Sequence, residues 1–176
     1  MEWQPFAGGN GARTQNLNSI YYDTSNEDLR RHNIAMRVRK EGRSRHVLTV
    51  KPSSGTGNAS DFVRRETEAM LPHAAPDPSF LDAETAGMIS QVTGKEPLQI
   101  RFATQVRRRS VLVPVGQSEI EVAIDDGHIV AGDRKQRLFE VELELRNGQI
   151  TDLYSLAMQA VQELPLTLDF SSKGDK

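Results

Sequence analysis

IAMRVRKEGRSRHVLTVK, residues 34–51, alternates apolar and polar or charged side chains on either side of a glycine. Successive side chains of an extended chain point to opposite faces, so Ile34, Met36 and Val38 share one face and Ala35, Arg37 and Arg39 the other. Glu41-Gly42-Arg43 reads as the turn of a hairpin, and His46 to Lys51 returns as the second strand, with Lys51 on the face of Val47 and Thr49. The stretch predicts an antiparallel sheet with one dry face and one charged face.

Working outward, residues 1–16 read as a flexible lead-in around Gly8-Gly9-Asn10-Gly11, and Asn18 to Tyr22 as a strand. Ser25 and Asn26 are placed to cap a helical turn at Glu27 to Arg31. Pro52 to Ser60 is a Ser/Gly-rich loop and Phe62 to Met70 a further strand. Asp77 to Val92 has helical spacing, with Phe80, Leu81, Met88, Ile89 and Val92 as core positions and Gly94 as the stop. Leu98 to Val113 is β-rich, as two strands or one long one. Ser118 to Asp125 and Gly127 to Ala131 read as a hairpin turning at Asp126-Gly127. Arg137 to Leu145 is a strand, and Ile150 to Leu164 an amphipathic helix with Leu153, Leu156, Ala157, Ala160 and Val161 on one stripe. Leu166 to Phe170 reads as a last short strand. Many antiparallel strands with a few helices make the class α+β.

At 176 residues the chain is long enough for one domain, placed at 17–173. It holds no cysteine, which excludes disulfides, thiolate metal sites and a cysteine nucleophile, and favours the cytoplasm. No apolar run approaches the roughly 18 residues of a membrane span. The net charge of -2 conceals a segregation: residues 30–65 carry ten Lys/Arg against two Asp/Glu, and residues 119–144 eight Asp/Glu against three Lys/Arg. Arginine outnumbers lysine 16 to 6, and the planar guanidinium fork suits carboxylate and phosphate oxygens.

Period-two spacing turns these charges into stripes: Arg37 with Arg39; Arg64, Glu66 and Glu68; Glu119, Glu121 and Asp125; Glu140, Glu142 and Glu144 opposite Val141, Leu143 and Leu145. Any single stripe is what the wet face of a half-buried sheet shows. Three like charges on one strand face repel, however, so solvent, the arginines of adjoining strands or hard metal ions must sit among them. Carboxylates without His or Cys suit Mg²⁺, Mn²⁺ or Ca²⁺. Were the sheet to close, alternation would put all these charges inside. His32, His46, His73 and His128 lack metal-ligand spacing, no Gly-x-Ser-x-Gly elbow exists, and Gly94-Lys95 lacks the rest of a phosphate loop. Arg107-Arg108-Arg109 would point to alternate faces of a strand with no interleaved aromatic, so nucleic acid is not the expected partner.

Tyr21-Tyr22-Asp23-Thr24, Leu29, Met36-Arg37-Val38-Arg39, Thr49-Val50-Lys51, Arg64-Arg65-Glu66-Thr67-Glu68, Phe102-Ala103-Thr104 with Arg108, Ile120 to Gly127, Ala131-Gly132, Glu140 to Leu145 and Ser172-Lys173 follow in an order that resembles the CYTH superfamily, the triphosphate tunnel metalloenzymes. The likeness is strongest to the bacterial inorganic triphosphatase branch, often fused to a CHAD domain. It implies an antiparallel β-barrel with flanking helices and a metal-dependent hydrolase of inorganic triphosphate or a related triphosphate or polyphosphate, using Mg²⁺ or Mn²⁺. By motif, Arg37, Arg39, Lys51, Arg108 and Lys173 fall on phosphate-binding positions, with Arg107 taking the place of Arg108 after a one-residue slip. Glu66, Glu68, Asp125, Glu140 and Glu142 fall on metal positions, with Glu66 and Glu142 as the catalytic, water-activating pair. Thiamine triphosphatase and adenylyl cyclase share the resemblance, and a polyphosphate- or nucleotide-binding module is the non-enzymatic alternative. Family members open on a strand carrying ExExK, which Met1-Glu2-Trp3-Gln4 does not show. The expectation is therefore a sheet open at the first strand, impaired turnover, and a homodimer through the exposed edges.

Overall fold

A computed structural model describes residues 3–42, 44–52 and 66–169. Its elements run α1 (Gln4–Ala7), β1 (Asn10–Asp23), α2 (Asp28–Arg31), β2 (Ile34–Glu41), β3 (Arg45–Pro52), β4 (Thr67–Leu71), a 3₁₀ turn (Pro78–Phe80), α3 (Ala83–Thr93), β5 (Gln99–Val115), β6 (Ser118–Ala131), β7 (Arg134–Asn147) and α4 (Ile150–Glu163). The strands hydrogen-bond in the order β4-β3-β2-β1-β5-β6-β7, an α+β arrangement. β1 to β4 pair antiparallel, and two-residue connections fold β5, β6 and β7 back on one another in the same sense. Among the described residues the order is linear, with β4 and β7 at its ends.

The chain divides into two compact units, one of residues 17–105 and 129–135, the other of residues 3–16, 106–128 and 136–169. In the first, the alternation of residues 34–51 does what it predicts. Met36, Val38, Leu48 and Val50 are buried with Tyr22, Leu29, Ile34, Leu71, Leu81 and Ile89. Pairing of Ile34 with Pro52 through Glu41 with Arg45 fixes the hairpin register, and Gly42 takes the left-handed conformation of its turn. On the other face of β1, Tyr21 stacks on Phe102 of β5, ring centroids 4.3 Å apart. The second unit packs Val111, Val113, Ile120, Val122 and Leu156 around Phe6 of α1, with Val141, Leu143 and Leu145 against them.

Several expectations need correction. Residues 4–16, read as a flexible lead-in, form α1 and the first half of β1: Phe6 is buried in a core, and Gly9 lies so close to Val111 that a Cβ would collide with it. Asp126-Gly127 is not a turn. β6 runs straight through it, and the reversals fall at Gly116 and Gly132, both in the left-handed region. The α2 turn is capped by Asp23 and Thr24, not by Ser25 and Asn26. Asp23 accepts from the backbone N–H of Thr24, Leu29 and Arg30, and Thr24 Oγ1 from that of Asp28. The segment from Asp77 splits into the 3₁₀ turn and α3, which restarts at a new cap where Asp82 accepts from Thr85 N–H. Phe80 and Met88 are exposed as a result, while Leu81 and Ile89 stay buried. Residues 166–169 form no strand, and the rest of the expected last strand, with Pro52–Ser60 beyond its first residue and Phe62 to Arg65, lies outside the described residues.

Candidate functional site

The basic residues of the first unit come together because the register aligns odd-numbered positions of β1, β2 and β3 with one another and with even-numbered positions of β4. Arg37 lies opposite Tyr21 on β1 and Thr49 on β3, and Thr49 opposite Glu68 on β4; Ser19 faces Arg39, and Ala35 faces Lys51. The Arg37 side chain is only 12% exposed, and its Nη2 donates to Glu66 Oε1 at 3.2 Å. Lys51 Nζ stands 3.9 Å from the other oxygen of Glu66. Arg39 Nε donates to Ser19 Oγ at 3.0 Å, and Thr49 Oγ1 to Glu68 Oε1 at 3.0 Å. Arg37 Nε is buried and has no hydrogen-bond partner among the described residues. Such a donor is costly unless an acceptor arrives, and an anion with several oxygens would supply one.

In the second unit Arg108 of β5 reaches β6 and β7. Its Nε and Nη2 donate to the two oxygens of Asp125 at 2.7 Å each, and Nη2 also donates to Glu142. Asp125 is fully buried. Burial works to lower the Arg108 pKa, but the Asp125 hydrogen bond, the charges of Glu142 and Asp125, and the Glu142 hydrogen bond outweigh it and hold the guanidinium protonated, above its ordinary range. Asp125, Glu140 and Glu142 bring one carboxylate oxygen each within 4.8 Å of one another. Three anionic oxygen donors, with a cation already drawn in to offset them, fit a hard divalent ion in donor type. Glu144, on the same stripe, turns to Arg146, which also binds Glu121.

The predicted residues thus fall into two groups. Arg37, Arg39, Lys51, Glu66 and Glu68 belong to the first unit, and Arg108, Asp125, Glu140 and Glu142 to the second. Lys173 and Arg64 lie outside the described residues. Arg107 is exposed, and it is Arg108 that meets the carboxylates. Sequence reasoning missed Ser19 and Thr49 as the hydroxyls that hold Arg39 and Glu68. Their odd numbers on β1 and β3 were the available signal, but only the register connects them to those charges.

A CYTH domain model matches residues 6–171. The chain belongs to the CYTH family. The inorganic triphosphatase of Haemophilus influenzae is 31% identical over 159 residues, 89% of this chain and 43% of that protein. The chain therefore spans less than half the length of this CYTH relative. Two solved structures share the fold. The Hippeastrum protein HpAC1, a provisionally named adenylyl cyclase described as having a dominant triphosphatase activity, superposes with a TM-score of 0.55 at 14% identity, over 98% of this chain and 85% of that one. A provisionally named adenylate cyclase from Bacillus halodurans gives 0.54 at 13% identity, over 98% and 90%.

Proposed function

We propose that this chain binds inorganic triphosphate, or a related triphosphate or polyphosphate, and hydrolyses it with Mg²⁺ or Mn²⁺ in the cytoplasm. The observation that carries the reading is Arg37: a nearly buried guanidinium whose Nε has no acceptor among the described residues, on the same sheet face as Arg39 and Lys51. In this reading Arg37, Arg39, Lys51 and Arg108 take phosphate oxygens, and so does Lys173 by its place in the Ser-Lys motif. Asp125, Glu140 and Glu142 take the metal role in their unit, Glu66 and Glu68 are the metal-type carboxylates of the other, and the motif gives Glu66 and Glu142 each a water-activating role. Water adds to the terminal phosphorus, the bond from that phosphorus to its bridging oxygen breaks, and orthophosphate and pyrophosphate leave. The guanidinium groups offset charge on the non-bridging oxygens as it redistributes. Bound metal supplies the same offset with two charges on one centre.

The inorganic triphosphatase among the relatives and the dominant triphosphatase activity described for the Hippeastrum protein support this substrate class. The membrane is not part of the reading, and no helix of the described residues is long and apolar enough to cross one. Phosphate release from inorganic triphosphate, thiamine triphosphate and ATP, each with Mg²⁺, with Mn²⁺ and with a chelator, tests it. Metal-dependent release greatest from inorganic triphosphate is expected. Binding without release from any of the three would replace hydrolase with binding module.

A further inference from the structure

The carboxylates assigned to the metal are not idle. Both oxygens of the fully buried Asp125 accept from the Arg108 fork, and the same guanidinium reaches Glu142. A guanidinium seated in this bidentate way uses the oxygen lone pairs that point toward a cation, and it carries a charge of the same sign as a metal. Metal entering at Asp125 and Glu142 must therefore displace the fork or share the oxygens with it against repulsion.

We propose that Arg108 is a built-in counter-ion that competes with divalent metal for Asp125 and Glu142 and holds metal affinity down. The inference rests on the metal reading above and concerns residues of a single compact unit. The arrangement meets a physical need. Asp125, Glu140 and Glu142 crowd their oxygens within 4.8 Å, and without a cation three like charges would push the β6 and β7 carboxylates apart. Arg108 supplies such a cation from β5 to Asp125 and Glu142. The hold on metal is correspondingly loose, because the net charge offered by the ligands is one unit less negative. In carboxylate sites affinity follows ligand charge. A ligand that draws the guanidinium onto its own oxygens and a metal that takes the vacated carboxylates then favour each other by the same factor. Phosphate oxygens match the fork as well as carboxylates do.

The test is a Mn²⁺ titration by water-proton relaxation, free of any phosphate compound, on the wild type, Arg108→Gln and Arg108→Lys. Removing the charge in Arg108→Gln should tighten Mn²⁺ binding about ten-fold or more, with Arg108→Lys between, because an ammonium is a point charge that cannot fork. The rise in melting temperature on adding Mn²⁺ should be larger for Arg108→Gln than for the wild type, as tighter binding to the native state requires. Wild-type binding with equal or weaker binding by the variants overturns the inference and leaves the metal reading intact. Absence of Mn²⁺ binding in all three proteins overturns both. Should Arg108→Gln fail circular-dichroism checks of folding, Arg108→Lys decides alone: unchanged or weaker Mn²⁺ binding counts against the proposal.

Discussion

Arg37→Met separates a binding residue from a structural one. Among the described residues Arg37 has one ion pair, to a carboxylate whose side chain is 37% exposed. Arg37 itself is nearly buried, but Glu66 is open to water, and pairs screened in that way contribute about 0–1 kcal/mol. Glu66 also keeps Lys51 when Arg37 is gone. Against that stands the buried Nε with no acceptor among the described residues, a group whose desolvation costs about 1–3 kcal/mol. Methionine follows the course of the arginine stem, buries apolar atoms and leaves no donor behind. The sum favours the variant: its folding stability should be unchanged or raised by up to about 2 kcal/mol. Triphosphate binding should weaken by about 1.5–3 kcal/mol, the range for a hydrogen bond to a charged group, or roughly ten- to a hundred-fold. Urea unfolding gives the first quantity, and calorimetric titration with triphosphate in chelator the second. A variant destabilised by more than about 1 kcal/mol would make Arg37 a brace of the sheet, and unchanged affinity would remove it from the phosphate site; either result refutes the reasoning.

Two further outcomes are expected. Glu142→Gln should weaken Mn²⁺ binding while Glu144→Gln leaves it as it is, because Glu144 is 58% exposed and turned to Arg146; equal effects, read by relaxation titration, would make the stripe a solvated face. Asp23→Ala should cost about 2–3 kcal/mol of stability in urea unfolding, since it strands the N–H groups of Thr24, Leu29 and Arg30, whereas Ser25→Ala should cost less than about 0.5.

The parts of the fold legible in the sequence are those where one face stays dry along a whole element. Residues 34–51 are the clearest case, because Met36, Val38, Leu48 and Val50 are all buried in one core. β6 shows why the rest was not legible. Its even positions Ser118, Ile120 and Val122 are buried first, and its odd positions Ala123, Asp125 and Ile129 afterwards. The alternation survives while the buried face changes, so Asp126-Gly127 looks like a break although the strand continues. Gly132 makes the real turn with a positive φ that composition alone does not single out. The site divides the same way. Arg37 with Arg39 and Glu140 with Glu142 are period-two neighbours and can be read along one strand. Arg108 with Asp125 is a pair across two strands, and only the register of β5 on β6 chooses Arg108 over Arg107.

The two charged groups obey one rule and differ in one respect. Each sets cations against carboxylates on the sheet: Arg37 and Lys51 on Glu66, Arg108 on Asp125 and Glu142. A sheet face cannot hold a run of one sign without such partners, so the protein meets its own charges before any ligand does. A triphosphate or a metal then enters by exchange, and the measured affinity is the difference between the new ion pair and the old. Exposure decides how large the old one is. Glu66 is half open to water, where salt screens the pair and its release costs little. Asp125 is fully buried, so freeing it from Arg108 without a replacement cation gives up an ion pair in the interior, where water offsets the loss least. The Glu66 cations can therefore be handed to a polyanion one at a time. Opening the Asp125 fork is therefore favoured when another cation takes over the carboxylate, and that preference ties metal uptake to the movement of Arg108.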